Sequence, residues 1–125
     1  MKNLLHIDWI YRIYELSRVK ESGDEMFLEN IVKTHELFKA AKTNDIQTLK
    51  ILLGQGVNIN IKDKKGMTPL MWAAYYCHFN IVELLLDNGA NVNMKNNFGE
   101  TAFYIVDHDL YPEIGELLIE HGSTI

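Results

Sequence analysis

One cysteine in 125 residues means that no internal disulfide can form, and it points to a reducing compartment. No apolar run approaches the length of a membrane span. The N-terminus lacks the small-residue cleavage pattern of a secretory signal. These absences lead us to expect a cytoplasmic protein with no membrane partner; nothing in the sequence shows a route into another cell. Basic charge is short as well. Asp and Glu number 17 against 12 Lys and Arg, a net charge of −5. Phosphate binding wants a basic surface, so nucleic acid is not the expected partner.

The residues of catalysis and metal binding are present but not arranged for either. His6, His35, His78, His108 and His121 form no pair at metal-ligand spacing, and Cys77-His78 alone is a weak signal. Cys77 as a nucleophile would need a base that its own neighbourhood does not supply. No glycine-rich loop precedes a helix in the manner of a phosphate cradle. Asp107, Asp109 and Glu113 crowd one region, where a solvated acidic face is the ordinary reading. Asn58, Asn60, Asn91 and Asn93 suit hairpin turns rather than ligand binding. We therefore expect no enzyme activity, no cofactor and no metal.

What the chain does have is a unit from Asp63 to Asn93. Gly66 breaks the chain, Thr68 can cap a helix and Pro69 suits its first position. Leu70, Ala73 and Ala74 follow at helical spacing, small enough to admit a second helix close by. That second helix carries Val82, Leu85 and Leu86 on one face, and Gly89 suits a left-handed cap at its end. One such helix pair cannot bury its own apolar faces and needs neighbours. They stand at a shift of 33 residues. Gly66, Thr68 and Leu70 become Gly99, Thr101 and Phe103, and Gly89 becomes Gly122. In the other direction Leu70, Ala73, Ala74 and Leu85 become Leu37, Ala40, Ala41 and Leu52.

This period, with Gly66-x-Thr68-Pro69-Leu70 and Asn88-Gly89-Ala90, resembles the ankyrin-repeat family over roughly residues 34–125. The resemblance implies an all-α ankyrin-repeat helical solenoid with hairpin-like connectors and almost no β-strand. Expected repeats cover about 34–62, 63–95 and 96–125. Their helices are expected near 34–42 and 46–53, 68–75 and 79–87, and 101–108 and 112–121. Several positions depart from the family pattern. Met71 replaces the usual His, so a side-chain hydrogen bond supporting the turns is expected to be missing. Asn44, Cys77 and Leu110 stand where Gly is preferred between the helices; Leu110 must either accept strain or avoid the conformation. Val106-Asp107 replaces Ala-Ala in the third repeat.

Residues 1–33 are expected to be an N-terminal helical cap or a degenerate repeat. Leu5, Trp9, Ile13, Leu16 and Val19 make one apolar stripe. Gly23-Asp24 reads as a break, with another short helix over 25–33. The chain is expected to be a monomer, with a homodimer through residues 1–33 as the alternative.

The resemblance also implies the function. Hairpin tips and first-helix ends of ankyrin repeats form a concave groove for partner proteins. By position the groove holds Lys64, Lys65, Met67, Tyr75 and Tyr76 in repeat two, with Lys62 and Lys95 in the connectors. In repeat three it holds Asn97, Phe98, Glu100, His108 and Asp109, and repeat one adds Lys42 and Thr43. Tyr75, Tyr76 and Phe98 are the expected anchors, unless the tyrosines merely pack on each other. Residues 96–125 contain six acids and no Lys or Arg, whereas Lys62, Lys64 and Lys65 cluster earlier, so the groove is expected to be dipolar. The expected role is a protein–protein interaction module, a small adaptor or scaffold. The alternatives are an inhibitor or immunity-type protein that covers an enzyme, and a self-associating structural protein.

Overall fold

The computed structural model describes residues 22–124, with side chains from Phe27 onward. The apolar stripe over 5–19, and most of the segment expected to cap the stack or pair two copies, lie outside the described residues. Six helices follow in order: α1 (Ser22–Thr43), α2 (Ile46–Gly54), α3 (Pro69–Tyr75), α4 (Phe79–Asp87), α5 (Ala102–Ile105) and α6 (Pro112–Glu120). Helices α1, α3 and α5 pack side by side as one layer, and α2, α4 and α6 pack as the other. There is no β-strand among the described residues.

The caps are those the sequence offers. Asp45 accepts the backbone N–H of Thr48 at 3.1 Å, and Thr68 accepts that of Met71 at 3.3 Å. Pro69 and Pro112 open α3 and α6, where a missing N–H costs nothing. One core runs between the layers through Leu37, Leu49, Leu70, Ile81, Leu85, Ile114 and Leu118, each at most 2% exposed. Removing that apolar surface from water is the main force holding the repeats in register.

The connectors fold as expected projections. Between α2 and α3 the Asp63 N–H donates to the Met67 carbonyl at 2.9 Å, and between α4 and α5 Asn96 and Glu100 repeat that bond at 3.0 Å. Successive connectors touch directly: the Asn97 N–H donates to the Lys65 carbonyl at 3.0 Å. Gly66 lies in that contact with φ +75°, and a Cβ there would fall 2.7 Å from the Asn97 nitrogen. Only glycine satisfies both the backbone and the space. The asparagines act as turn residues and as ties between turns. Asn60 accepts the Asn91 N–H at 2.8 Å, and Asn93 accepts that of Thr124 at 3.0 Å.

Three expectations need correction. First, Gly23-Asp24 is not a break: α1 is continuous from Ser22 to Thr43, so no separate helix covers 25–33. Nothing from Glu25 to Lys42 interrupts a helix, and Leu28 continues the buried face of Leu37, Ala40 and Ala41. Second, α5 ends at Ile105 rather than near 108. Val106 is extended at ψ 138°, and the Asp107 carboxylate instead accepts the N–H groups of Asp109 and Leu110 at 3.1 and 3.2 Å. A short polar side chain that bonds its own backbone competes with helix in this way. Third, Met67 lines the groove from beneath instead of projecting into it, being only 6% exposed. Its N–H donates to the Asp63 carboxylate at 2.9 Å, which turns the side chain inward.

The positions that depart from glycine divide. Asn44 and Cys77 both take φ +60°. Leu110 avoids positive φ, because the early end of α5 reroutes its loop. Met71 is buried and its sulfur accepts the Thr68 N–H at 3.4 Å, a weak replacement for a histidine. His78 ties repeat two to repeat one, with Nε2 3.0 Å from the Lys42 carbonyl.

Candidate partner-binding cleft

The projection and first-helix end of repeat two face those of repeat three across a cleft of about 590 Å³. Lys65, Met67, Trp72, Tyr75, Tyr76, Asn96, Phe98, Glu100, Tyr104 and Ile105 line it. Of the groove residues expected from the sequence, Lys65, Met67, Tyr75, Tyr76, Phe98 and Glu100 meet here.

The aromatic wall comes from α3. Trp72, Tyr75 and Tyr76 lie three and four residues apart, so one helix face carries all of them. Tyr75 and Tyr76 meet edge to face at 5.0 Å, and Trp72 stacks on Tyr76 at 6.1 Å. The tyrosines do pack on each other, yet they remain 58% and 47% exposed. Phe98 at the projection tip is 78% exposed and Tyr104 71%. Such a run of exposed rings gains little from the core.

Two carboxamide and carboxylate groups hold the projections that flank this wall. Asp63 accepts the N–H groups of Lys65 and Met67, each at 2.9 Å, and the Trp72 indole N–H at 2.8 Å. One side chain thus fixes the loop and the ring together. Asn96 stands 33 residues on and does the same for repeat three. It accepts the N–H groups of Phe98 and Glu100 at 2.9 and 3.0 Å and donates to the Glu100 carboxylate at 2.9 Å.

The remaining expected residues lie elsewhere. Lys64 borders a second hollow of about 640 Å³ on α1, with Phe27, Ile31 and Phe38. Its carbonyl accepts the Asn97 side chain at 2.9 Å, so the loop turns its side chain away from the cleft. His108 packs on Phe103 at 4.3 Å between ring centres, with Nε2 2.6 Å from the Phe103 carbonyl. Gly115 makes room for it, since a Cβ there would fall 2.6 Å from His108 Nδ1. Asp109 is exposed on the loop between α5 and α6 and lines neither hollow. The sequence reading missed Trp72, Asn96, Tyr104 and Ile105. The spacing of Trp72 from Tyr75 and Tyr76 was the available signal; Tyr104 had none beyond its place one turn from Thr101.

Burial pushes the Cys77 thiol up, and the nearby Asp107 carboxylate pushes it the same way, against a hydrogen bond with the Asp107 backbone. The thiolate a nucleophile needs is disfavoured. No group of three His, Cys, Asp or Glu among the described residues is placed to hold a metal ion. No helix among them is long and apolar enough to cross a membrane.

Comparison with known proteins agrees with this architecture. The family model described as ankyrin repeats, in three copies, matches residues 37–125. The chain is 46% identical over 39 residues to a protein named Vapyrin-like from Medicago truncatula, covering 31% of this chain and 8% of that protein. It is 44% identical over 48 residues to the putative ankyrin repeat protein FPV223 of fowlpox virus (strain NVSL), covering 38% of this chain and 34% of that protein. The chain thus matches only a minor part of either relative. With the period, the two helix layers, the linked projections and this match over most of its length, the chain belongs to the ankyrin-repeat family.

Proposed function

We propose that this chain binds another protein through the cleft between repeats two and three and catalyses no reaction itself. Ankyrin repeats are in general protein–protein interaction modules. The observation that carries the reading is the exposure of Tyr75, Tyr76, Phe98 and Tyr104 around one cleft whose loops are already fixed by Asp63 and Asn96. Rigid aromatic anchors inside a polar rim are the usual makings of a hot spot. The role we assign is a small cytoplasmic adaptor or scaffold that acts as a monomer.

Hydrogen exchange with a captured partner tests this. Protection is expected over 64–76 and 96–105. Protection confined to α2 and α4, or to α1, would place the partner on another face. Assaying a captured enzyme with and without the chain separates an adaptor, which leaves its activity intact, from an inhibitor, which abolishes it. A dimer with no retained partner would favour self-association instead.

A further inference from the structure

Charge around the cleft is segregated along the stack. On the side of repeats one and two, the Lys42 ammonium lies 4.3 Å from the centre of the Trp72 ring and that of Lys65 lies 5.9 Å away. The backbones that carry them are tied to the neighbouring repeat and to the loop. His78 bonds the Lys42 carbonyl, and Asp63 fixes both the indole and the Lys65 N–H. The Asp63 oxygens are already engaged by two backbone N–H groups and the indole. Neither lysine forms an ion pair among the described residues.

Repeat three is the reverse. It contains no Lys or Arg, and Glu100, Asp107 and Asp109 form no ion pair among the described residues. Glu100 reaches the cleft itself, while Asp107 lies beside Cys77 at the end of α3. The rings of Tyr75, Tyr76, Phe98 and Tyr104 line the same cleft as Lys65 and Glu100. Cations on the side of repeats one and two and anions on the side of repeat three repel a uniformly charged ligand on one side or the other.

Resting on the reading of this cleft as a protein-binding surface, we infer that its occupant is a protein segment with segregated charge. An aromatic or aliphatic anchor sits on the rings, an acidic flank lies toward Lys42 and Lys65, and a basic flank lies over Glu100 and the acids of repeat three. The lysine pair near Trp72 adds a second element of fit, because a carboxylate there meets two ammonium groups beside one indole face.

Labelled synthetic peptides test the inference by fluorescence anisotropy against the full chain. One carries a block of glutamates, a Phe-Leu anchor and a block of lysines. A second has the same composition with the charges alternated, and a third has lysines on both flanks. The segregated peptide should bind about tenfold more tightly than the alternated one at low salt, as expected from a few exposed ion pairs, and the gap should close at high salt. In Lys42→Glu/Lys65→Glu the preference should pass to the all-lysine peptide, with the far-ultraviolet circular dichroism unchanged. Equal binding of segregated and alternated peptides, or binding of neither, overturns the inference. The Tyr75→Ala/Phe98→Ala variant separates the two levels. If it abolishes an indiscriminate binding, the cleft stands and the charge inference fails; if a charge-segregated preference survives it undiminished, the cleft itself is wrongly placed.

Discussion

Repeats two and three follow one 33-residue pattern and end differently. In repeat two, Ala73 and Ala74 are fully buried, α3 runs for 7 residues and α4 packs close against it. In repeat three the same positions are Val106 and Asp107, and α5 stops after 4 residues. Repeat two has a neighbour on both sides. Beyond repeat three no further repeat follows among the described residues, and Ile119 is 43% exposed where its counterpart Leu86 is 5%. The lesson is that the pattern specifies the turn and the second helix firmly, while the length of the first helix depends on the small residues at its end. Quasi-one-dimensional stability of this kind is a sum of repeat and interface contributions.

The largest effect that would sharpen this comparison is on the paired core leucines. Leu85 and Leu118 are both fully buried, but only Leu85 lies in a repeat packed on two sides. Leu85→Ala should cost about 2–5 kcal/mol, the range for a buried leucine, and Leu118→Ala should cost less because its surroundings can relax. Chemical denaturation of both variants measures the difference; equal costs would mean that repeat three is as rigidly packed as repeat two.

The paired projection glycines come next. Gly66 and Gly99 have nearly the same φ, +75° and +76°, but only Gly66 faces a neighbouring projection. Gly99→Ala should cost about 1–2 kcal/mol for the left-handed backbone alone. Gly66→Ala should cost about 1–3 kcal/mol more from collision with Asn97. Thermal unfolding reads both, and a Gly66 variant no worse than its partner would show that the projections do not press on each other.

Much of this was legible in the sequence, and the reasons are physical. The turns announced themselves because Gly66, Thr68 and Pro69 each suit one backbone geometry, so their spacing fixed the start of α3 and, by repetition, that of α5. The length of α5 was not legible, because helix propensity at Val106 and Asp107 is outweighed by side-chain bonding within the next turn. In the cleft, Tyr75, Tyr76 and Phe98 could be placed by register. The direction of Lys64 and the burial of Met67 could not, since both are decided by how the Asp63 carboxylate folds its loop.

A smaller and opposite pair of effects lies between the helices. Cys77→Gly should stabilise the chain by about 0.5–1 kcal/mol, because φ +60° strains any residue with a Cβ. Leu110→Gly should destabilise it by about 0.5–1 kcal/mol, since Leu110 already avoids that conformation and glycine only adds freedom to the unfolded chain. Equal signs in urea titrations would contradict the rerouted loop.

An effect of comparable size is the pH dependence of the α2 cap. Hydrogen bonds from the Thr48 side chain and backbone hold the Asp45 carboxyl below its ordinary value. A lowered folded-state pKa gives stability that is present above the unfolded value of about 3.9 and is lost as pH falls through the folded value. Asp45→Ala should therefore cost about 1 kcal/mol at neutral pH and almost nothing once the carboxyl is protonated. A cost independent of pH would show that the charge plays no part in the cap.

The central claim is that the rings of repeats two and three serve a partner and not the fold. Partner affinity and unfolding midpoint measured on the same Tyr75→Ala/Phe98→Ala protein test it most directly. The expected result is affinity weakened by about 2–4 kcal/mol, as for lost hot-spot side chains, with the midpoint nearly unmoved. A variant that unfolds easily yet binds with full affinity whenever folded would contradict it, making the rings part of the core and placing the partner on another face.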